Sequence, residues 1–293
     1  MRLNRTIGMV FFLAAATCMA AGDFSVFSDG FKGPENMAFD GKGGLYVSDT
    51  DHLWLADAGG DKKELYARDP EKDSISLGGV SLGPGGKVYF STGNAIKIYD
   101  PADGAVSGFV SGFNFANGNC FDDAGDFFIA DSNACTLFVV PAGTKEVKVL
   151  KDKLGSAAGV GVNGVVWSRA DNTLYYTVNL PTRVGGLKLG PGPAVAGEVT
   201  IIKFPLGGLD DLMLDRAGNF YVCMWLNGKV VKVSPDGKKE TLLDKLDGPS
   251  SLEFAPGTGD LYITIKGGST RFEGTQVIKV KTDSAAYKLP FMP

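Results

Sequence analysis

The chain has 293 residues, of which 44% are hydrophobic and 21% charged, and its formal net charge at pH 7 is −4. This composition is typical of a globular protein with a large core. An acidic chain lacks the basic face that nucleic-acid binding requires, so the composition argues against a nucleic-acid partner. Cys120, Cys135 and Cys223 are too few for a disulfide scaffold, and with a single histidine they form no zinc-binding pattern.

Residues 1–21 have the pattern of a secretory signal peptide. Two arginines precede an apolar run at residues 7–16, and small residues follow it. The run is too short to span a bilayer, which takes about 20 residues. A buried first strand fits the two arginines less well, and Cys18 leaves lipid attachment as a minor alternative. We therefore predict a signal peptide at 1–21, a single domain at 22–293, no membrane span, and a secreted or periplasmic location.

A unit of about 40 residues recurs six times after this segment. Its most recognisable part begins at residues 38, 81, 120, 166, 213 and 253, with AFDGKGGLYVSD, SLGPGGKVYFST, CFDDAGDFFIAD, VWSRADNTLYYT, MLDRAGNFYVCM and EFAPGTGDLYIT. Each copy has a short apolar strand, a turn rich in Gly, Asp and Asn, and an aromatic and β-branched strand, which predicts a β-hairpin. A second hairpin follows most copies. The repeats therefore predict an all-β fold, a six-bladed β-propeller of four-stranded antiparallel blades.

The segment 182–199 and the two chain ends do not follow the repeat pattern. The Gly/Pro-rich residues 182–199 in the fourth repeat predict a longer loop beside a strand. Residues 23–31, DFSVFSDGF, precede the first repeat as an outermost strand would, so we expect the N-terminus to complete blade 6. The C-terminal SAAYKLPF, residues 284–291, competes for the same place, and the sequence leaves both options open.

One position lies three residues before each copy and begins the innermost strand of its blade. The residues there are Glu35, Gly78, Asn117, Asn163, Asp210 and Ser250, which should surround one mouth of the central channel. Any one Asn or Asp could simply hydrogen-bond turn backbone at a strand start. Four oxygen donors in one register, with no Cys or His, instead favour a hard cation, Ca²⁺ before Mg²⁺. We predict a metal site at Glu35, Asn117, Asn163 and Asp210.

The ends of the second strands should return to the same mouth. His52 follows that strand in blade 1 and Trp225 follows it in blade 5, so both are candidate substrate contacts. The alternatives are a solvated loop histidine and ordinary packing between blades. The chain has no GxSxG elbow and no GxxxxGK[ST] loop, which argues against a serine triad and against phosphate-loop chemistry.

Four stretches together resemble the gluconolactonase/regucalcin family of calcium-dependent propellers. They are GPENMAFDGKGGLYVSD, NGNCFDDAGDFFIAD, NGVVW and DDLMLDRAGNFYV. They are also similar to the relatives diisopropylfluorophosphatase, paraoxonase and the strictosidine-synthase-like proteins. The resemblance implies that Glu35, Asn163 and Asp210 bind the metal, and that Asn117 contacts metal or substrate. It implies hydrolysis of lactones or related esters by Lewis-acid catalysis, with Asp210 as nucleophile or general base.

The sequence departs from this family at two points. Sugar-lactone members commonly carry an Arg where this chain has Phe115, so a more apolar lactone or ester is expected. Paraoxonases use a histidine pair, which the lone His52 excludes. We expect a monomeric hydrolase of a small lactone or ester. The alternatives are a non-catalytic binding or scaffold propeller with a structural metal ion, and a strictosidine-synthase-like protein of another chemistry.

Overall fold

The computed structural model describes residues 24–73, 76–156, 160–268 and 273–292, so the predicted signal peptide lies outside the described residues. The regular secondary structure of the described chain is almost entirely β-strand. The first strands are β1 (Phe24–Ser28), β2 (Asn36–Phe39), β3 (Leu45–Ser48), β4 (His52–Ala56), β5 (Lys62–Ala67), β6 (Val80–Leu82), β7 (Val88–Ser91) and β8 (Gly93–Tyr99). They are followed by β9 (Val106–Phe121), β10 (Phe127–Asp131), β11 (Thr136–Val140), β12 (Lys148–Lys151), β13 (Gly155–Ser156), β14 (Val160–Ser168), β15 (Thr173–Val178) and β16 (Arg183–Leu189). The last are β17 (Val195–Lys203), β18 (Leu209–Leu214), β19 (Phe220–Met224), β20 (Lys229–Val233), β21 (Lys239–Leu243), β22 (Pro249–Phe254), β23 (Leu261–Ile265) and β24 (Gln276–Val280). Two 3₁₀ turns, Pro84–Gly86 and Trp225–Asn227, complete the elements.

Antiparallel pairing arranges these strands as propeller blades. Hydrogen bonds join them into five sheets, one of which has seven strands because β9 takes part in two blades. The first part of β9 pairs with β8 as the outermost strand of blade 2, and its last part pairs with β10 as the innermost strand of blade 3. Within the described residues this gives six blades, which begin with β2, β6, the end of β9, β14, β18 and β22. The predicted propeller fold is confirmed.

The N-terminal strand completes the last blade. Strand β1 pairs with β24, with Phe24 opposite Val280, so the sheet order of blade 6 is β1, β24, β23, β22. This answers the question that the sequence left open in favour of the N-terminus. The C-terminal segment instead lies at the far end of the channel, where Leu289, Pro290 and Met292 line its inner cavity.

Blade 4 is more regular than the sequence indicated. Residues 182–199, predicted as a longer loop beside a strand, contribute to the paired strands β16 and β17. Their glycines serve packing: a Cβ on Gly185 would lie 2.5 Å from the Tyr176 ring, and one on Gly186 would lie 3.0 Å from the Tyr175 ring. A Gly-rich strand that accommodates aromatic neighbours has the same composition as a loop, which explains the wrong prediction.

Buried side chains fill the spaces between adjacent blades. One cluster joins blades 5 and 6 through Leu212, Val222, Leu252 and Ile263, all almost fully buried. Such inter-sheet layers hold the six innermost strands around one axis, and their spacing fixes the channel that these strands line.

Candidate functional site

Irregular pairing turns the predicted ring residues toward the channel mouth. The register of the innermost strand shifts between Ala116 and Asn119, between Val162 and Val165, between Leu209 and Leu212, and between Pro249 and Leu252. Each shift encloses the ring position of its blade, the positions of Asn117, Asn163, Asp210 and Ser250. A β-bulge re-aims a side chain that regular pleating would place otherwise. Sequence periodicity gave the register but not these bulges.

The glycine after each ring asparagine lets neighbouring strands touch. A Cβ on Gly118 would lie 2.6 Å from the carbonyl oxygen of Asn163, and one on Gly164 would lie 2.3 Å from Asp211 Oδ1. Neither space admits a side chain. The Asn-Gly pairs are therefore contact points between blades, and they bring Asn117, Asn163 and Asp210 side by side.

Hydroxyl groups join successive blades at the same level. Ser132 Oγ donates to the carbonyl oxygen of Val162 at 2.8 Å, and Thr177 Oγ1 donates to that of Asp210 at 2.5 Å. Ser48 Oγ donates to the Gly78 carbonyl at 2.6 Å. These bonds run from the second strand of one blade to the innermost strand of the next, so they hold the ring residues in place.

Two carboxylates and an amide meet at the mouth. Glu35 is 6% exposed, and Asp210 and Asn163 are also buried. Burial first, and then the negative charge of Glu35, raises the pKa of Asp210 well above its ordinary value, while a hydrogen bond from the Asn163 side chain and the charge of Lys266 oppose the rise. Asp210 therefore holds a proton more readily than an ordinary aspartate does.

Lys266 joins this group, although it was not among the site residues predicted from the sequence. Its Nζ contacts Glu35 Oε2, and its side chain is only 18% exposed. Burial alone would lower the pKa of Lys266, but the charges of Glu35 and Asp210 raise it above its ordinary value, so the side chain stays an ammonium. Lys266 directly follows β23, the second strand of blade 6. The same second-strand rule that indicated His52 and Trp225 would have found it.

Asn117 and Asp211 form hydrogen bonds with different partners. Asn117 Nδ2 donates to Ser132 Oγ at 3.3 Å, which leaves its amide oxygen available toward the mouth. Asp211 lies one residue deeper and accepts hydrogen bonds from Ser251 Oγ at 2.6 Å and from Asn36 Nδ2 at 3.0 Å. Burial raises the pKa of Asp211 to about 6.

A cavity of about 330 Å³ opens beside Glu35 and Lys266. Its lining residues are Gly33, Glu35, Thr50, Ser76, Leu77, Phe115, Asn133 and Lys266. This volume lies within the range of small-molecule sites, about 300–1,000 Å³. Phe115 and Leu77 give one wall an apolar character, while Thr50 and Asn133 supply polar groups.

Of the predicted site residues only Glu35 lines this cavity, and the predicted substrate contacts Asn117, His52 and Trp225 lie outside its lining. His52 Nδ1 lies 3.4 Å from Asp49 Oδ1, its Nε2 lies 3.7 Å from Glu64 Oε2, and its ring packs on Trp54. Trp225 begins a 3₁₀ turn, and its indole nitrogen donates to the carbonyl oxygen of Gly267 at 2.9 Å. Trp225 thus supports the segment that carries Lys266.

The donor chemistry of the mouth fits a hard divalent cation. No three acidic, histidine or cysteine side chains converge as ligands in the part of the chain that the structure describes. The mouth instead offers the carboxylates of Glu35 and Asp210 and the amides of Asn117 and Asn163. Lys266 balances only one carboxylate charge, so a cation with added water ligands would allow both carboxylates to ionise.

Comparison with known proteins follows the geometry. A family model described as the SMP-30/Gluconolactonase/LRE-like region matches residues 28–267. Among curated proteins, none is similar enough in sequence to count as a relative. The helical turns in the described residues are too short to cross a membrane.

Several solved structures share the fold at low sequence identity. A calcium-binding protein, regucalcin, from Agrobacterium tumefaciens str. C58 has 15% identity and a TM-score of 0.77 over 93% of this chain and 98% of that one. A gluconolactonase from Xanthomonas campestris has 17% identity and a TM-score of 0.73 over 91% and 93% of the two chains. A luciferin-regenerating enzyme has 17% identity and a TM-score of 0.72 over 92% and 100%.

Proposed function

Because the chain belongs to the SMP-30/gluconolactonase/LRE-like family, we propose that it hydrolyses lactones or related esters with a divalent cation, Ca²⁺ or otherwise Mg²⁺, at the channel mouth. The observation that carries this proposal is the buried group of Glu35, Asp210 and Asn163, of which Glu35 lines a cavity of about 330 Å³. A structural neighbour whose name describes it as calcium-binding supports a divalent metal.

The cation would be held by the carboxylates of Glu35 and Asp210 with the amide oxygens of Asn117 and Asn163. When bound, it supplies Lewis acidity toward a carbonyl oxygen. The protein supplies the proton acceptor. Asp210 Oδ is the candidate nucleophile or general base, since a carboxylate can keep one oxygen on the cation and offer the other to water or substrate.

The cavity wall favours an ester or lactone with apolar character. Phe115 lies in the lining, so its ring faces the space where a charged guanidinium would assist a sugar acid. Asn133 and Thr50 offer hydrogen bonds to a ring oxygen or hydroxyl. We retain Asn117, His52 and Trp225 as proposed substrate contacts, with His52 and Trp225 reaching only a substrate that extends beyond the lining residues.

We further propose that the protein acts as a monomer outside the cytoplasm, on the basis of the signal-like residues 1–21. Mass spectrometry of the protein recovered from outside the cytoplasm would test this, because removal of those residues would leave an N-terminus near residue 22. Recovery of the uncut chain in the cytoplasm would contradict it.

Hydrolysis of a panel of γ- and δ-lactones, aryl esters and phosphotriesters tests the proposed activity. The purified protein is assayed with Ca²⁺, with Mg²⁺ and with excess chelator. We expect turnover that chelator abolishes and Ca²⁺ restores. No turnover in any condition, with a melting temperature that falls in chelator, would favour the alternative of a binding propeller with a structural ion.

A further inference from the structure

The main chain around Lys266 is held on both sides. Its N–H donates to the carbonyl oxygen of Gly248 at 2.9 Å, and its carbonyl oxygen accepts from the N–H of Gly274 at 2.9 Å. The next residue, Gly267, bonds the carbonyl oxygen of Asp247 through its N–H and the Trp225 indole through its carbonyl oxygen. The ammonium of Lys266 is therefore aimed at the mouth by a fixed strand end.

The side chain of Lys266 borders both Glu35 and the cavity. It contacts Glu35 Oε2, and it also lines the cavity of about 330 Å³ above the mouth. A lysine has four rotatable bonds in its side chain, so its ammonium can leave Glu35 and enter the cavity without movement of the backbone.

An ammonium and a divalent cation compete for the same oxygens. Calcium approaches carboxylate oxygens to 2.3–2.6 Å, which brings it within a few ångströms of any ammonium held by the same carboxylate. Repulsion between a single and a double positive charge at that separation is strong in a site with little water. Binding of the cation therefore breaks the ion pair between Lys266 and Glu35.

We propose that Lys266 is a built-in competitor that is displaced when a divalent cation binds Glu35 and Asp210, and that it sets the metal affinity of this site. The inference rests on the proposed function for the presence of the cation. It adds a specific consequence: the site is neutralised by its own lysine at low metal concentration and fills only when the cation outcompetes it. Displacement also moves a positive charge into the cavity where the substrate would bind.

Calorimetric titration of the chelator-treated protein with CaCl₂ tests the proposal. We expect Lys266→Met to bind Ca²⁺ at least about tenfold more tightly than the wild type, equivalent to about 1.4 kcal/mol. Lys266→Arg keeps the charge and should stay near the wild type. The matched control is Lys279→Met. Lys279 belongs to the same blade but lies away from the mouth, and its Nζ pairs with Asp260 Oδ2 at 2.9 Å. It should leave the dissociation constant unchanged.

The outcomes separate this inference from the proposed function. Equal or weaker Ca²⁺ binding by Lys266→Met, with clear binding by the wild type, would overturn the inference and leave the metal site standing. No binding of Ca²⁺ or Mg²⁺ by either protein would overturn both the inference and the cation part of the proposed function. Binding by Lys266→Met alone would support the inference in its strongest form.

A labelling experiment on the wild type avoids any folding defect of the variant. An amine-acylating reagent is applied with Ca²⁺ or with chelator, and peptides are quantified by mass spectrometry. We expect Ca²⁺ to increase labelling of Lys266 relative to Lys279, because the displaced ammonium leaves its buried ion pair. Unchanged or decreased labelling of Lys266 in a protein that binds Ca²⁺ would contradict displacement.

Discussion

The channel holds two groups of buried carboxylates, and each group is neutralised in its own way. At the mouth, Glu35 and Asp210 share the ammonium of Lys266. Deeper in the channel, Asp211 accepts hydrogen bonds from neutral side chains. Next to it, Glu253 is 4% exposed, and burial followed by the charge of Asp211 raises its pKa well above the ordinary value.

The two groups of carboxylates are neutralised differently because only the group at the mouth lies beside a large cavity. The mouth opens to a cavity of about 330 Å³, whereas the inner group borders a space of only about 50 Å³ that Leu289, Pro290 and Met292 help to line. A cation can enter and leave at the mouth. The inner carboxylates can be satisfied only by protons and fixed donors, so we regard them as structural and the mouth as the chemical site.

The largest expected effect separates the two groups by activity. Asp210→Asn should lower kcat/KM for the best lactone by at least about 1,000-fold, because it removes the proton acceptor at the mouth. Its melting temperature should not fall, since burial already favours an uncharged group there. Glu253→Gln is the matched control in the same channel and should stay within about threefold of wild-type activity. Equal losses in both variants would remove the distinction.

A smaller effect concerns stability at the mouth. In chelator, Glu35→Gln should lower the free energy of unfolding by about 2–3 kcal/mol, because the buried ammonium of Lys266 loses the carboxylate that it contacts. The double variant Glu35→Gln/Lys266→Met should lose less than the sum of the single changes, with a coupling of at least about 1 kcal/mol. Urea titrations of the four proteins measure the cycle. Additive losses would mean that the ion pair is not formed in solution.

The inner group should show its character through pH. The folded-state pKa of Glu253 lies above its ordinary value of 4.5, so the folded protein keeps a proton that the unfolded chain releases. The stability that the retained proton contributes is fully present below the ordinary pKa of 4.5, and it is lost as the pH rises through the folded-state pKa. Glu253→Gln should therefore match the wild type near pH 4 and exceed it by about 1–2 kcal/mol at pH 7.

Urea unfolding at the two pH values measures this difference. Glu240→Gln, on the exposed strand β21, is the control and should change stability little at either pH. A Glu253→Gln variant that is less stable than the wild type at pH 7 would show that the carboxylate is ionised and paired in the channel.

The smallest expected effect marks the outer limit of the mouth. His52→Gln should change kcat/KM by less than about threefold for small lactones, because His52 contacts Asp49 and Trp54 and does not line the cavity. A series of substrates with longer acyl chains extends the test. A loss that grows with chain length would place His52 among the substrate contacts at the rim.

The fold could be predicted from the sequence because six copies repeat the same hairpin pattern. The register of the ring followed from aligning those copies, so Glu35, Asn163 and Asp210 were found together although they come from three blades. The closing strand β1 was expected because residues 23–31 precede the first repeat as an outermost strand would, with the C-terminal segment as the alternative. Six repeated copies allowed the strand register to be predicted, which a single short strand would not have allowed.

The remainder depended on contacts that no local pattern encodes. The second-strand rule places Lys266 at the mouth, but its ion pair with Glu35 joins residues separated by most of the chain, and a lysine after a strand is usually a solvated residue. The bulges at Asn163 and Asp210 arise from pairing with the next strand, and Asn-Gly in a sequence indicates a turn more often than a contact between strands. Gly185 and Gly186 were misread for the same reason.

The pairing of β1 with β24 has a consequence for the order of assembly. Phe24 and Val280 meet with nearly the whole chain between them, and such distant contacts form late in folding because loop closure must precede them. This pairing completes blade 6, which meets blade 1 at the mouth, where Lys266 contacts Glu35 and Thr264 Oγ1 donates to the Glu35 carbonyl oxygen. A folding intermediate with five finished blades would therefore still lack the mouth, and the capacity to bind a cation would appear only when the ring closes.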